Sequence, residues 1–157
     1  MTTLQIGSFA PNFSLYDQDE KLVNLKDSLG KFMVIYFYPK ALTPGCTTQA
    51  CDIRDNWQQL LDLGVIVYGI SPDKPKLLNK FKVQENLPFT LLSDFEHQVA
   101  ERYGTWQEKS MYGRKYMGMA RDTYILDRLG MIIGVLHKVK PADHIKDVLA
   151  IISKHSS

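Results

Sequence analysis

Lys31-Phe-Met-Val-Ile-Tyr-Phe-Tyr38 runs almost without polar interruption and stops at Pro39. Successive side chains of a strand point to opposite faces, so a run of this kind belongs to a central strand covered on both sides. A layered α/β domain satisfies that requirement. After the polar turn 39–45, apolar residues recur at Ala50, Ile53, Trp57, Leu60 and Leu61, with Gly64 at a C-cap position. This spacing predicts a helix of about five turns. Val65-Ile-Val-Tyr-Gly-Ile70 is a second buried strand, and Ser71-Pro-Asp-Lys-Pro75 leads into a helix carrying Leu77, Leu78 and Phe81. Strand, helix, strand and helix in this order imply a parallel unit with a right-handed crossover.

The flanks extend the same sheet. Phe13–Tyr16 and Lys21–Asn24 around Asp17-Gln-Asp-Glu20 read as a short edge hairpin. Phe89–Leu92 is a short strand, and Ser93 with Glu96 has capping-box spacing for a helix bearing Phe95, Val99 and Tyr103. Thr123–Leu126 and Met131–His137 flank the turn Asp127-Arg-Leu-Gly130 as an antiparallel hairpin, which makes the sheet mixed. Pro141 opens a last helix with Ile145, Val148, Leu149 and Ile152 on one face, before a polar Ser156-Ser157 tail. Residues 104–118 show no clear period and are expected to be a long loop, with Lys109, Arg114, Lys115 and Arg121 as a solvated basic cluster. A functional alternative is that this loop lies over the active site, where Met111, Met117 and Met119 supply adaptable apolar contacts. The expected sum is one three-layer α/β domain, residues 1–157, with helices on both sides of a central mixed sheet.

A chain of 157 residues buries enough apolar surface to fold without disulfides or metals. Nineteen Lys+Arg against 17 Asp+Glu leave a net charge of +2, too near neutral for the electrostatic footprint of a nucleic-acid or anionic-membrane binder. Met1–Asn12 has no basic segment followed by an apolar core, and no apolar stretch approaches membrane-spanning length. A cytoplasmic protein is expected. His97, His137, His144 and His155 are dispersed and read as ordinary surface or sheet histidines. Neither they nor the cysteines have zinc-site spacing, and Gly30-Lys31 lacks the upstream glycine of a phosphate-binding loop. No metal and no organic cofactor is expected.

The two cysteines carry the chemistry. Cys46 follows Thr43-Pro44-Gly45 at the first turn of a helix that leaves a buried strand. Unpaired N–H groups and the positive end of the helix dipole stabilise a thiolate there. The sulfur shares a stripe with Ala50, Ile53 and Trp57, which points it toward the core, at the floor of a recess. Cys51 is five residues on; in a continuous helix the two Cα atoms stand about 8.7 Å apart. A disulfide needs about 4.4–6.8 Å, so joining the pair requires the first helical turns to unwind. From the residues alone two readings stay open: a buried structural pair on an ordinary Pro-Gly turn, or a reactive pair.

Tyr38-Pro-Lys-Ala-Leu-Thr-Pro-Gly-Cys-Thr-Thr-Gln-Ala-Cys51 closely resembles the active-site segment of the peroxiredoxins, in particular the bacterioferritin comigratory protein (Bcp, or PrxQ) group. Gly7–Phe13 resembles the beginning of that family's fold and Arg121–Asp127 its later arginine-containing strand, so the likeness covers almost the whole chain. The resemblance implies a thioredoxin-like fold and a peroxidase acting on hydrogen peroxide and organic hydroperoxides. It implies Cys46 as the peroxidatic cysteine, Cys51 as the resolving cysteine in an intramolecular disulfide, and thioredoxin or glutaredoxin as reductant. By the same match Thr43 hydrogen-bonds the thiolate or peroxide, Pro44 shields the sulfur from water, and Arg121 stabilises the thiolate and polarises the leaving oxygen. Without the family, Arg121 reads as a surface cation or ion-pair partner.

Two departures stand out. Ala41 and Leu42 replace residues that the family commonly has as acidic and then small polar, which is expected to make the pocket rim more apolar. Gln49 stands where many relatives carry Glu. A monomer is expected, with the apolar rim at Leu42 compatible with weak dimerisation. Two rival functions share the fold: a general disulfide oxidoreductase, disfavoured by the five-residue cysteine spacing, and a redox sensor or holdase whose disulfide reports oxidation.

Overall fold

A computed structural model describes residues 4–156. Met1–Thr3 and Ser157 lie outside the described residues, and with them the start of the amino-terminal segment and the last residue of the polar tail. The central run forms β3 (Phe32–Phe37), every residue of it buried. Phe32, Val34, Tyr36 and Tyr38 enter one core, while Met33, Ile35 and Phe37 enter another on the opposite face. β3 pairs in parallel with β4 (Val65–Ser71), and β4 in parallel with β5 (Thr90–Ser93). The edge hairpin β1 (Ser14–Asp17) and β2 (Leu22–Asn24) joins antiparallel beside β5; β8 (Thr123–Leu126) and β9 (Ile132–Leu136) join antiparallel beside β3. The sheet order is β2-β1-β5-β4-β3-β8-β9.

Helices α1 (Pro44–Asp55), α3 (Pro75–Glu85) and α5 (His144–His155) cover the first core through Ala50 and Ile53, Leu78 and Phe81, and Ile145, Val148 and Ile152. On the other face α4 (Gln98–Arg102) contributes Val99 and Ala100, and the 3-10 turn Leu25–Ser28 contributes Leu25. The three-layer mixed α/β architecture expected from the sequence is the one observed.

Several local expectations are corrected. The five-turn helix is two helices, α1 and α2 (Trp57–Asp62), broken at Asn56. The Asn56 side chain donates to the Asp52 carbonyl (2.8 Å) in place of its own N–H, which turns instead to Ile53 (3.2 Å). An asparagine that competes in this way for the i−4 carbonyl ends the helix. Ser93 does not cap α4, because its hydroxyl donates to the Asp73 carbonyl, and the Asp94 carboxylate accepts from the N–H groups of Val99 and Ala100. Phe95 precedes that helix and is exposed. Pro141 lies in a turn, and α5 starts only at His144.

The largest correction is at 104–118. These residues form a two-stranded hairpin, β6 (Trp106–Met111) and β7 (Arg114–Met119), turned by Tyr112 and Gly113 with φ of +52° and +77°. Positive φ at both central residues matches the twist of a hairpin. Most of its residues face solvent on both sides, so no apolar alternation marks it as strand. Of its methionines, Met119 is buried in the second core, and Met111 and Met117 are exposed.

Candidate active site

α1 begins at the carboxyl end of β3, with Thr43 in extended conformation as N-cap, Pro44 at the first helical position and Cys46 two residues later. Proline suits that position, since its missing N–H has no helical acceptor there. Leu42 just before the cap takes φ +67°, a left-handed conformation that costs a non-glycine residue energy, and its side chain packs against the first core. Ala41 is buried and its N–H donates to the Asp73 carboxylate at 2.7 Å. It is therefore an anchor of the turn, and the apolar rim expected from Ala41 and Leu42 is folded inward.

Cys46 is 1% exposed. Arg121, 75 residues away in the short link between β7 and β8, donates from Nη1 to its Sγ at 3.4 Å and to Gln49 Oε1 at 2.8 Å. A fixed guanidinium beside the sulfur stabilises negative charge on it and supplies donors to an oxygen brought there. Gly45 makes this approach possible: a Cβ built on it stands 3.2 Å from Arg121 Nη2. Gly45→Ala is expected to displace the guanidinium by a few tenths of an ångström and slow oxidation of Cys46 by peroxide about three- to tenfold. Stability should stay within about 1 kcal/mol, because alanine is the better helix former. Stopped-flow oxidation and thermal melts check both.

The Thr43 hydroxyl donates to the Lys40 carbonyl at 2.8 Å. Its single proton is committed there, so toward the sulfur side it offers lone pairs, suited to accepting from a hydroperoxide O–H rather than donating to the thiolate. Pro44 is exposed, and Cys46 two residues on is buried. Cys51 lies on α1 away from Cys46. Its S–H donates to Glu85 Oε1 at 3.4 Å, and both cysteines are free. Burial, then the hydrogen bond to Glu85, push the Cys51 thiol up from its ordinary value and hold it protonated.

Thr123, His144 and Lys109 escaped the sequence as site residues, and Gln49 entered there only as a departure from the family. Gln49 donates to His144 Nδ1 (3.2 Å), and His144 Nε2 meets Thr123 Oγ1 (2.8 Å). His144 is fully buried, which corrects its reading as an ordinary histidine; burial and then the Arg121 charge lower its pKa to about 4. Lys109 of β6 lines a cleft of about 470 Å³ that also includes Arg121, Tyr116 and Val139. Burial first and the Arg121 charge second push its ammonium down. The hairpin thus brings Lys109 and Tyr116 to this cleft, and none of the three methionines expected over the site lines it. Nothing local in sequence marks His144 or Lys109; only the crossing of distant strands and helices brings them in.

Among the described residues no group of His, Cys, Asp and Glu is placed to hold a metal ion. Nor is any described helix long and apolar enough to cross a membrane.

A buried cysteine at a helix start, met by an arginine from across a thioredoxin-like sheet, defines a class of thiol enzymes. The AhpC/TSA family model matches residues 6–135, and the chain belongs to that family. It is 52% identical over 144 residues to a putative peroxiredoxin bcp of Haemophilus influenzae, covering 92% of this chain and 93% of that one. It is 48% identical over 156 residues to peroxiredoxin Bcp of Escherichia coli, covering 99% and 100%. Among solved structures, the bacterioferritin comigratory protein of Xanthomonas campestris, described for its alkyl peroxide reduction activity, superposes with a TM-score of 0.89 at 30% identity over all of both chains. Within the family the chain is accordingly an enzyme of the peroxiredoxin class, of the Bcp/PrxQ group.

Proposed function

We propose that this peroxiredoxin reduces hydrogen peroxide and organic hydroperoxides through Cys46 and is reset through Cys51. The observation that carries the assignment is the Arg121 guanidinium 3.4 Å from a sulfur that is 1% exposed at a helix start. The Cys46 thiolate attacks the distal peroxide oxygen; the S–O bond forms as the O–O bond breaks, the leaving alkoxide or hydroxide takes up the proton released when the thiol ionised and departs as alcohol or water, and the sulfur is left as a sulfenic acid. Arg121 stabilises the charge moving onto the leaving oxygen, Thr43 orients the peroxide by accepting its O–H, and Pro44 narrows water's access to the sulfur. Cys51 then attacks the sulfenic sulfur, the S–S bond forms and water leaves.

That second step needs a rearrangement. Five residues of continuous helix hold the two Cα atoms about 8.7 Å apart, beyond disulfide reach. Residues 44–51 must unwind, giving up the Thr47 N–H to Thr43 carbonyl bond (2.9 Å) and the Cys51 to Glu85 contact. Leaving Glu85 also frees the Cys51 thiol to ionise. A dithiol protein, thioredoxin or glutaredoxin, returns both thiols in a reducing cytoplasm.

The test is intact mass with thiol counting after one equivalent of peroxide. The expected result is loss of two thiols and of about two mass units; with Cys51→Ser, one thiol is lost and about 16 mass units are gained as sulfenic acid. Slow oxidation with no turnover by a dithiol reductant overturns the proposal in favour of a redox sensor.

A further inference from the structure

Arg121 ends a continuous hydrogen-bonded line whose other members are Gln49, His144 and Thr123, contributed by α1, α5 and β8. All three are 0% exposed, so water does not substitute for any link. The direction of each bond follows from one end. A guanidinium has five donors and no acceptor, so the Gln49 amide must turn its oxygen to Arg121. Its nitrogen then faces His144 Nδ1, which must be bare, and the ring proton sits on Nε2 and is donated to Thr123 Oγ1. The His144 ring itself is held 5.5 Å from that of Tyr36.

We infer that His144 is a positioning residue: as the Nε2–H tautomer it locks the Gln49 amide, and through it the Arg121 guanidinium, against the Cys46 sulfur. This rests on the proposed roles of Cys46 and Arg121. A free glutamine amide has two nearly equal orientations, and one presents N–H groups to the arginine and drives it off the sulfur. An acceptor at the position of Nδ1 adds to the guanidinium's own preference and penalises that second orientation from the other end. The side chain is set 95 residues from Gln49, by a helix that otherwise only covers the sheet.

Long-range proton–nitrogen NMR on the reduced, unsubstituted protein at neutral pH reads the tautomer directly. Nε2–H with bare Nδ1 is expected, and Nδ1–H overturns the inference whatever any variant does. In variants, His144→Leu removes the acceptor and is expected to slow oxidation of Cys46 by hydrogen peroxide about tenfold. His144→Asn, whose carbonyl falls near the place of Nδ1, restores the rate to within about threefold of the unsubstituted protein. A role in packing alone predicts the reverse order, because leucine preserves the apolar fill better than asparagine. A folded His144→Leu protein oxidised at the original rate also overturns the inference. Failure of Cys46 in the unsubstituted protein to react with peroxide instead overturns the functional reading, and leaves the tautomer to be decided by NMR.

Discussion

Replacing Cys46 by serine abolishes peroxide consumption, by at least about a thousandfold, while the protein stays folded. Serine is smaller by little, the site is buried, and Arg121 keeps Gln49 as its acceptor at 2.8 Å. What is lost is the ionisable nucleophile: an alcohol beside a guanidinium remains almost wholly protonated near neutral pH, and oxygen does not form the sulfenic intermediate. Peroxide consumption assayed with a dithiol reductant, beside a thermal melt, checks the expectation. Residual activity within tenfold of the original would remove Cys46 from the mechanism.

Acidification from neutral pH to about pH 4 weakens the fold through His144. Its folded-state pKa of about 4 lies below the ordinary 6.5, because the ring is buried and Arg121 stands nearby. Below pH 6.5 the unfolded chain takes up a proton that the folded chain refuses, so stability is full above that value and falls as the pH drops toward 4. The loss then stops, since both states carry the proton. The shift corresponds to about 3 kcal/mol. Asp94 acts in the opposite sense, as burial holds its carboxyl above its ordinary range and folding there favours the protonated form. The measurement is therefore denaturant unfolding at several pH values for the protein and for His144→Leu, and the difference between their slopes is the His144 contribution. Identical slopes would show that His144 is not held neutral.

Both expectations turn on where the chain places a few side chains, and those placements were unequally legible. β3 and β4 were plain because each is buried on both faces, so the apolar run itself reports the environment. The turn 43–46 was legible for a related reason: proline at the first helical position and a cysteine just inside are local chemistry, settled by residues within one turn of each other. The break at Asn56 was missed, because apolar spacing continues across it and only the competition of one amide for the Asp52 carbonyl ends α1.

By itself the sequence determined the layered α/β class, the central strands and the place of Cys46 at a helix start, five residues before Cys51. These follow from periodicity and from spacing along one helix, which are short-range properties. Tertiary structure alone decided the rest. The hairpin of β6 and β7 is solvated on both faces and so carries no buried stripe, yet it places Lys109 in the cleft beside Arg121. The line from Arg121 through Gln49 and His144 to Thr123 joins residues 72, 95 and 21 positions apart. Hydrogen bonds between side chains so distant leave no periodic trace, because their partners meet only after the sheet has closed and α5 has packed over it.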